Sequence, residues 1–238
     1  MDAQFDIYRK KPEVQESYRQ TFTVTLKPGM TLLEVFHYIH EHLDTTFTYR
    51  YSCRGAICGS CAVRINGVAG LACKTQVEEL ATNGVIVVDP LGNFQPIRDL
   101  VVDLEPFWQA YREIIPYIKR EKEEHNEVFA SGLDAQHLDQ MIRAITCIKC
   151  GACFSDCDKR AQTESFVGPA AAAALYKYYF DSRDGALEER IKVASNPESG
   201  VVVCDSFAAC LKVCPKDVRP LKAINQIRQD LKARQESP

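Results

Sequence analysis

All eleven cysteines of this 238-residue chain fall into three spaced groups. Cys53, Cys58, Cys61 and Cys73 read C-x4-C-x2-C followed at a distance by a fourth, the spacing of a plant-type [2Fe–2S] site. Cys147, Cys150, Cys153 and Cys157 form C-x2-C-x2-C-x3-C, the run of two-cluster bacterial ferredoxins, whose fourth cysteine ligates the other cluster. Cys204, Cys210 and Cys214, the last followed by Pro215, repeat that run with one member missing, and Phe207 stands where the second cysteine would be. No thiol remains for a disulfide.

Crossed ligation divides the last seven cysteines. Cys147, Cys150, Cys153 and Cys214 make a set of four for a [4Fe–4S] cluster. Cys157, Cys204 and Cys210 make a set of three, which suits a [3Fe–4S] cluster because a phenyl ring cannot ligate iron. Structural zinc is the competing reading of paired C-x2-C elements. It leaves the spacing from Cys53 to Cys58 unexplained and the set of three unfilled, since no histidine lies beyond His137. A disulfide framework fits still less well: the cysteine count is odd and the N-terminus does not resemble a secretory signal.

With 46% hydrophobic and 26% charged residues the chain can bury an ordinary core, and a net charge of −3 argues against nucleic acid as a partner. No run approaches the roughly 18 to 20 apolar residues that span a bilayer. The nearest, Phe166 to Leu175, is short and Ala-rich. Membrane contact is therefore expected only through a partner, and cluster assembly requires a reducing compartment.

The first part of the chain has strand and turn periodicity. Phe22, Val24 and Leu26 alternate with threonines, and Thr31 with Glu34 forms a capping box opening an amphipathic helix to about Leu43. Its His37, His40 and His42 are read as solvated. Ala62–Ile65 reads as a strand returned by Asn66-Gly67 through Leu71, and Asn83-Gly84 leads into a strand at 85–88. Gly55 and Gly59 supply the positive φ angles for a loop wrapped round an anionic cluster, with Arg54 as a candidate compensating charge.

From about Ile97 the period turns helical. Phe107, Trp108, Tyr111, Ile114, Ile115 and Ile118 give an apolar face, with Pro106 in a first turn and Pro116 at a kink or end. Glu121–Glu127 is a charged, solvated stretch; Gly168-Pro169 opens an Ala-rich helix, and a final helix spans Arg219–Arg234. Lys159, Arg160, Lys212, Lys216, Arg219 and Lys222 gather around the last cysteines, either as ordinary surface or as a face for anionic lipid or an anchor subunit.

Ser52-Cys53-Arg54, Ile57-Cys58-Gly59-Ser60-Cys61, Leu71 to Thr75, Ile97 to Asp103, Phe166 to Ala170, Asp181 to Asp184 and Val213 to Lys216 together resemble the iron–sulfur subunits of the succinate dehydrogenase and fumarate reductase (complex II) family over essentially the full length. The resemblance implies an α+β chain: an N-terminal β-grasp [2Fe–2S] domain over 1–96, and an α-helical two-cluster ferredoxin-like domain over 97–238. It implies an oxidoreductase subunit that conducts electrons and leaves dicarboxylate chemistry to an FAD-containing flavoprotein subunit. The other partner implied is a membrane-anchor cytochrome b subunit with haem b and menaquinone, on the cytoplasmic face of the inner membrane. Ala56 replaces a usual glycine, and Asp158 a usual proline. Ala161 and Gln162 stand where succinate:quinone reductases have a tryptophan pair, and Asp205 where they have histidine. These departures point toward fumarate reductases with a dihaem anchor. An adaptor for another dehydrogenase, thiol-linked or heterodisulfide-reductase-like, and a zinc-stabilised module remain the alternatives.

Overall fold

The computed structural model describes residues 1–12, 16–82, 84–119 and 135–236. Asn83 and the stretch Glu121–Glu127 lie outside them. The chain forms two compact units, Met1–Leu104 with Ile148–Asp156, and Glu105–Cys147 with Cys157–Pro238. The first unit thus runs past residue 96, where the sequence places the domain boundary. The hairpin of β6 (Pro96–Arg98) and β7 (Val101–Val102) is held to the sheet: Lys10 Nζ donates to Pro96 O at 2.7 Å, and the Lys10 N–H to Asp99 at 3.0 Å.

In the first unit, β1 (Asp2–Lys10), β2 (Ser17–Thr25), β3 (Ala62–Ile65), β4 (Val68–Leu71) and β5 (Ile86–Asp89) form a mixed sheet in the order β2-β1-β5-β3-β4. β1 and β5 pair in parallel, so Phe5 faces Ile86 and Ile7 faces Val88. All four side chains are fully buried, each contributing roughly 1.5 to 3 kcal/mol. Between β3 and β4, Asn66 (φ 48°) and Gly67 (φ 83°) take the two left-handed positions of a tight hairpin turn. The Thr31–Glu34 capping box is present and starts α1 (Leu32–Tyr38), whose last turn widens into a π-helical turn at Ile39–Leu43; a single helical turn, α2 (Glu78–Ala81), precedes β5. The helix buries Leu32, Leu33, Val35 and Phe36, and Phe36 meets Phe47 edge-on. A mixed sheet with one crossing helix is the arrangement expected of a β-grasp domain.

Arg9 occupies an inward position of β1 and is buried with its charge intact. It donates to Asp99 at 3.0 Å and to Asp44 at 2.8 Å, and its pKa is raised despite burial. Asp99 also accepts the Thr48 N–H at 2.8 Å, so one buried ion pair fixes the segment leading to Cys53. The return segment Ile148–Asp156, with α5 (Ala152–Ser155), is bound into this unit: Asp156 accepts the Ala69 N–H, Ser155 Oγ the Gly92 N–H, and Phe154 O an Asn93 amide.

In the second unit the helices surround α7 (Gly168–Tyr179), whose residues from Gly168 to Tyr176 are all buried. Around it lie α3 (Glu105–Glu113), α4 (Ala135–Ile145), α8 (Leu187–Ala194) and α10 (Pro220–Glu236). Alanines at 170–174 let these neighbours approach closely. α3 ends before Pro116, as proline requires, with Ile115 at φ 53°. Arg190 of α8 is wholly buried; it pairs with Asp184 at 2.7 Å and donates to the Ile114, Ile115 and Tyr117 carbonyls. Short α6 (Asp158–Gln162) and α9 (Ala209–Lys212) carry the chain beside the last cysteines. Among the described residues no helix is long and apolar enough to cross a membrane.

Candidate metal centres

The first four cysteines converge in the first unit. Backbone N–H groups of Gly55, Ile57 and Cys58 point at Cys53 Sγ at 3.4, 3.3 and 3.3 Å. Those of Cys53, Ala56 and Cys73 point at the sulfurs of Cys58, Cys73 and Cys61 at 3.4, 3.3 and 3.4 Å. Such a cradle stabilises thiolate sulfur and suits an anionic cluster. The wrapping comes from left-handed residues at Arg54 (φ 56°), Ala56 (φ 56°) and Gly59 (φ 75°). Gly59 has the expected role. Gly55 does not, and its neighbours Arg54 and Ala56 carry the turn instead. Cys73 is placed by α1, whose first N–H groups donate to Thr75 O and Ala72 O.

The thiols sit in unequal surroundings. Burial pushes Cys58 up, but hydrogen bonds from Ser60 and the Cys53 backbone bring it down to about 6. Burial drives Cys61 up to about 12. Arg54 is exposed and lies over the Tyr51 ring at 5.6 Å. His40 and His42 are exposed as expected, whereas His37 is half-buried, its Nδ1 2.7 Å from Tyr49 Oη and its ring against Tyr51. Burial and then Arg54 hold its pKa down.

Gly59 also brings a second cysteine group close. A Cβ on Gly59 would lie 2.7 Å from Cys150 Cβ, so the loop of Cys58 is in backbone contact with the segment of Cys150 and Cys153. Cys147 and Cys214 belong to the second unit. There α4, which ends just before Cys147, grips the loop after Cys214. Gln140 Nε2 donates to Val218 O at 3.0 Å, Arg143 to Asp217 at 2.6 Å and Thr146 Oγ1 to Lys216 O at 3.4 Å. The Val218 N–H so held donates to Cys214 Sγ at 3.3 Å.

Cys157, Cys204 and Cys210 line one pocket of the second unit with Phe207, Ala208, Ala209, Leu221 and Ile224. Burial, then repulsion from Cys157 and Cys204, pushes Cys210 up to about 12; burial, with Cys204 nearby, also raises Cys157. Three thiols and a phenyl ring thus line the same pocket, with 56% of Phe207 exposed. Arg228 of α10 donates to the carbonyls of Val202 and Cys204 and to Ser206 Oγ. Neither Gln140 nor Arg228 carried any signal in the sequence. Of the basic residues near these cysteines, Lys159 pairs with Asp205 at 3.1 Å and half-buried Arg160 donates to Phe166 O at 2.8 Å. Arg219 and Lys222 pair with Asp217 and Asp139, while Lys212 is exposed and Lys216 half-buried.

Among the described residues no three His, Cys, Asp or Glu side chains converge tightly enough to hold one metal ion. Thiolates round a cluster stand further apart, because the inorganic core lies between them. Residues 4–109 match the family of 2Fe-2S iron-sulfur cluster binding domains, and residues 143–218 the 4Fe-4S dicluster domain. The fumarate reductase iron-sulfur subunit of Haemophilus influenzae is 34% identical over 93% of this chain and 90% of its own. Those of Escherichia coli and Mycobacterium tuberculosis are 36% and 35% identical, each over 94% of this chain and 91% and 90% of theirs. The chain belongs to the fumarate reductase iron–sulfur subunit family. Its fold matches a chain of the Mycobacterium smegmatis Sdh1 complex in the apo form, with a TM-score of 0.84 and 24% identity over 100% of this chain and 98% of that one. Membership of this family makes the chain an iron–sulfur oxidoreductase subunit, and the thiol cradles are consistent with that assignment.

Proposed function

We propose that this chain is the electron-transfer subunit of a membrane-bound quinol:fumarate reductase or succinate dehydrogenase, between an FAD-bearing flavoprotein and a quinone-binding cytochrome b anchor. The supporting observation is the backbone contact of the Cys58–Gly59 loop with the Cys150 segment, because electron transfer weakens steeply with distance. The ligand sets are Cys53, Cys58, Cys61 and Cys73 for [2Fe–2S]; Cys147, Cys150, Cys153 and Cys214 for [4Fe–4S]; and Cys157, Cys204 and Cys210 for [3Fe–4S]. Bound clusters supply one-electron carriers. The protein spaces them, directs N–H groups at their sulfurs and shields them from water, which sets their potentials.

The [2Fe–2S] loop exposes Ile57 and Tyr51; the [3Fe–4S] pocket exposes Phe207, and its sequence neighbours Leu211 and Val202 are exposed as well. Apolar side chains beside electron-carrying loops suit partner surfaces, the flavoprotein at the first and the membrane anchor at the second. The chain then sits on the cytoplasmic face, bound to the membrane through the anchor.

Purification of the complex from membranes tests this reading. The expected result is flavin and haem on separate subunits, about nine irons on this chain in three EPR-distinct centres, and fumarate reduction by quinol. Zinc in place of iron, or a complex inactive with both fumarate and succinate, would overturn it.

A further inference from the structure

We propose that Arg228 is a positioning residue for the three-cysteine centre, fixing the Cys204–Ser206 turn and raising the potential at which that centre is reduced. The inference rests on reading Cys157, Cys204 and Cys210 as cluster ligands. The turn between Cys204 and Cys210 holds two non-glycine residues in the left-handed region, Ser206 and Ala208, both at φ 64°. Side chains disfavour that conformation, so a turn that keeps it needs outside partners. Arg228 supplies them from α10, where buried Ile224, Ile227 and Leu231 anchor the helix. One Nη2 donates to Val202 O at 2.7 Å and to Cys204 O, while Nη1 reaches Ser206 Oγ at 3.3 Å.

The consequence reaches sulfur. In the turn so held, the Ser206 N–H points at Cys204 Sγ at 3.4 Å. An N–H directed at a ligand sulfur and a cation nearby both favour the reduced state, which carries one more negative charge. Among the described residues the partners of Arg228 are neutral oxygens, and the one carboxylate of the turn, Asp205, pairs with Lys159 instead. Lysine could replace the charge but not the planar fork that spans three acceptors.

The test is a redox titration by EPR of the assembled complex carrying Arg228→Gln or Arg228→Lys. In Arg228→Gln the reduction equilibrium of the three-iron signal should move about tenfold toward the oxidised form, about 59 mV for a one-electron couple. Arg228→Lys should recover part of the shift, and the [2Fe–2S] signal should titrate as in wild type. Selective loss of the three-iron signal in Arg228→Gln, restored in Arg228→Lys, would also support the proposal. Full iron content with wild-type potentials in both variants would overturn it, leaving Arg228 a cap on carbonyls. Loss of all three signals together in both would overturn it too, as a general folding role. Absence of a three-iron signal in wild type would instead refute the ligand reading on which the proposal stands.

Discussion

Gly59→Ala should damage two cluster loops at once. Gly59 has φ 75°, a conformation that costs an L-residue about 1 to 2 kcal/mol. Its new Cβ would lie 2.7 Å from Cys150 Cβ, 2.9 Å from Cys150 Cα and 3.1 Å from Ile148 O. Carbon contacts settle near 3.5 to 4.0 Å, and two of these atoms are backbone, so no side-chain rotation relieves the overlap. Forcing the segments apart adds about 1 to 3 kcal/mol, for a total of about 2 to 5 kcal/mol. Set against a usual domain stability of about 5 to 15 kcal/mol, that is a large fraction. Gly29 and Gly67 separate the two causes, because both have positive φ (73° and 83°) and nothing within 4 Å of an added Cβ. Gly29→Ala and Gly67→Ala should therefore show the conformational cost alone. The assay is the thermal midpoint of the cluster-loaded protein, read with the EPR of the [2Fe–2S] and [4Fe–4S] centres. Gly59→Ala should melt lowest, about 4 to 20 °C below wild type, and disturb both signals. Equal melting of all three variants, with both signals unchanged in Gly59→Ala, would mean that the Cys58 loop and the Cys150 segment are not in contact.

Three further outcomes are expected. Ala56→Gly places glycine where φ is 56° and should stabilise the loaded protein by about 0.5 to 1 kcal/mol, the relief of left-handed strain being partly offset by unfolded-chain entropy; a lower melting point than wild type would contradict the loop geometry. Phe207→Cys puts a thiol into the pocket of Cys157, Cys204 and Cys210 and should convert the three-iron EPR signal to a four-iron one of lower potential; an unchanged signal in folded protein would make pocket shape decisive. Asp184→Asn strands Arg190 and should cost about 3 kcal/mol in denaturant titration. Although burial opposes it, Arg190 holds the Asp184 carboxyl below its usual pKa. Its contribution is therefore complete above the unfolded value of about 3.9 and lost as pH falls through the folded value, so the variant should show a flatter acid limb.

The cysteine groups were legible because cluster ligands sit close together in sequence, and loop chemistry demands fixed spacings. The capping box at Thr31, the Asn66-Gly67 hairpin and the Gly168-Pro169 helix start were legible for the same reason, each being decided within about four residues. β1 was not read, although Phe5 and Ile7 alternate with polar neighbours. Arg9 breaks the pattern at an inward position, and only the distant Asp44 and Asp99 make its burial tolerable. α4 escaped as well: its apolar Leu138, Ile142 and Ile145 are exposed, while its buried face includes Gln140. Placing Ile148–Asp156 in the first unit depends on Asp156, Ser155 and Phe154 meeting Ala69, Gly92 and Asn93, pairings about 60 to 90 positions apart.

The same contrast explains how the ligand loops are held. Each carries left-handed residues other than glycine: Arg54 and Ala56 before Cys58, Lys149 before Cys150, Ser206 and Ala208 before Cys210, and Asp217 after Cys214. Left-handed turns aim successive N–H groups to one side, which a cluster's sulfurs require, but at such residues they are strained when free. A set of long-range polar contacts, varied in chemistry, restrains them. The Arg9–Asp99 pair fixes the approach to Cys53, Gln140 the loop after Cys214, and Arg228 the turn after Cys204. These contacts are made between protein groups alone, so none of them depends on the charge of the cluster. A small change in geometry between the oxidised and reduced states follows from the same restraint, and that is the property a one-electron carrier needs.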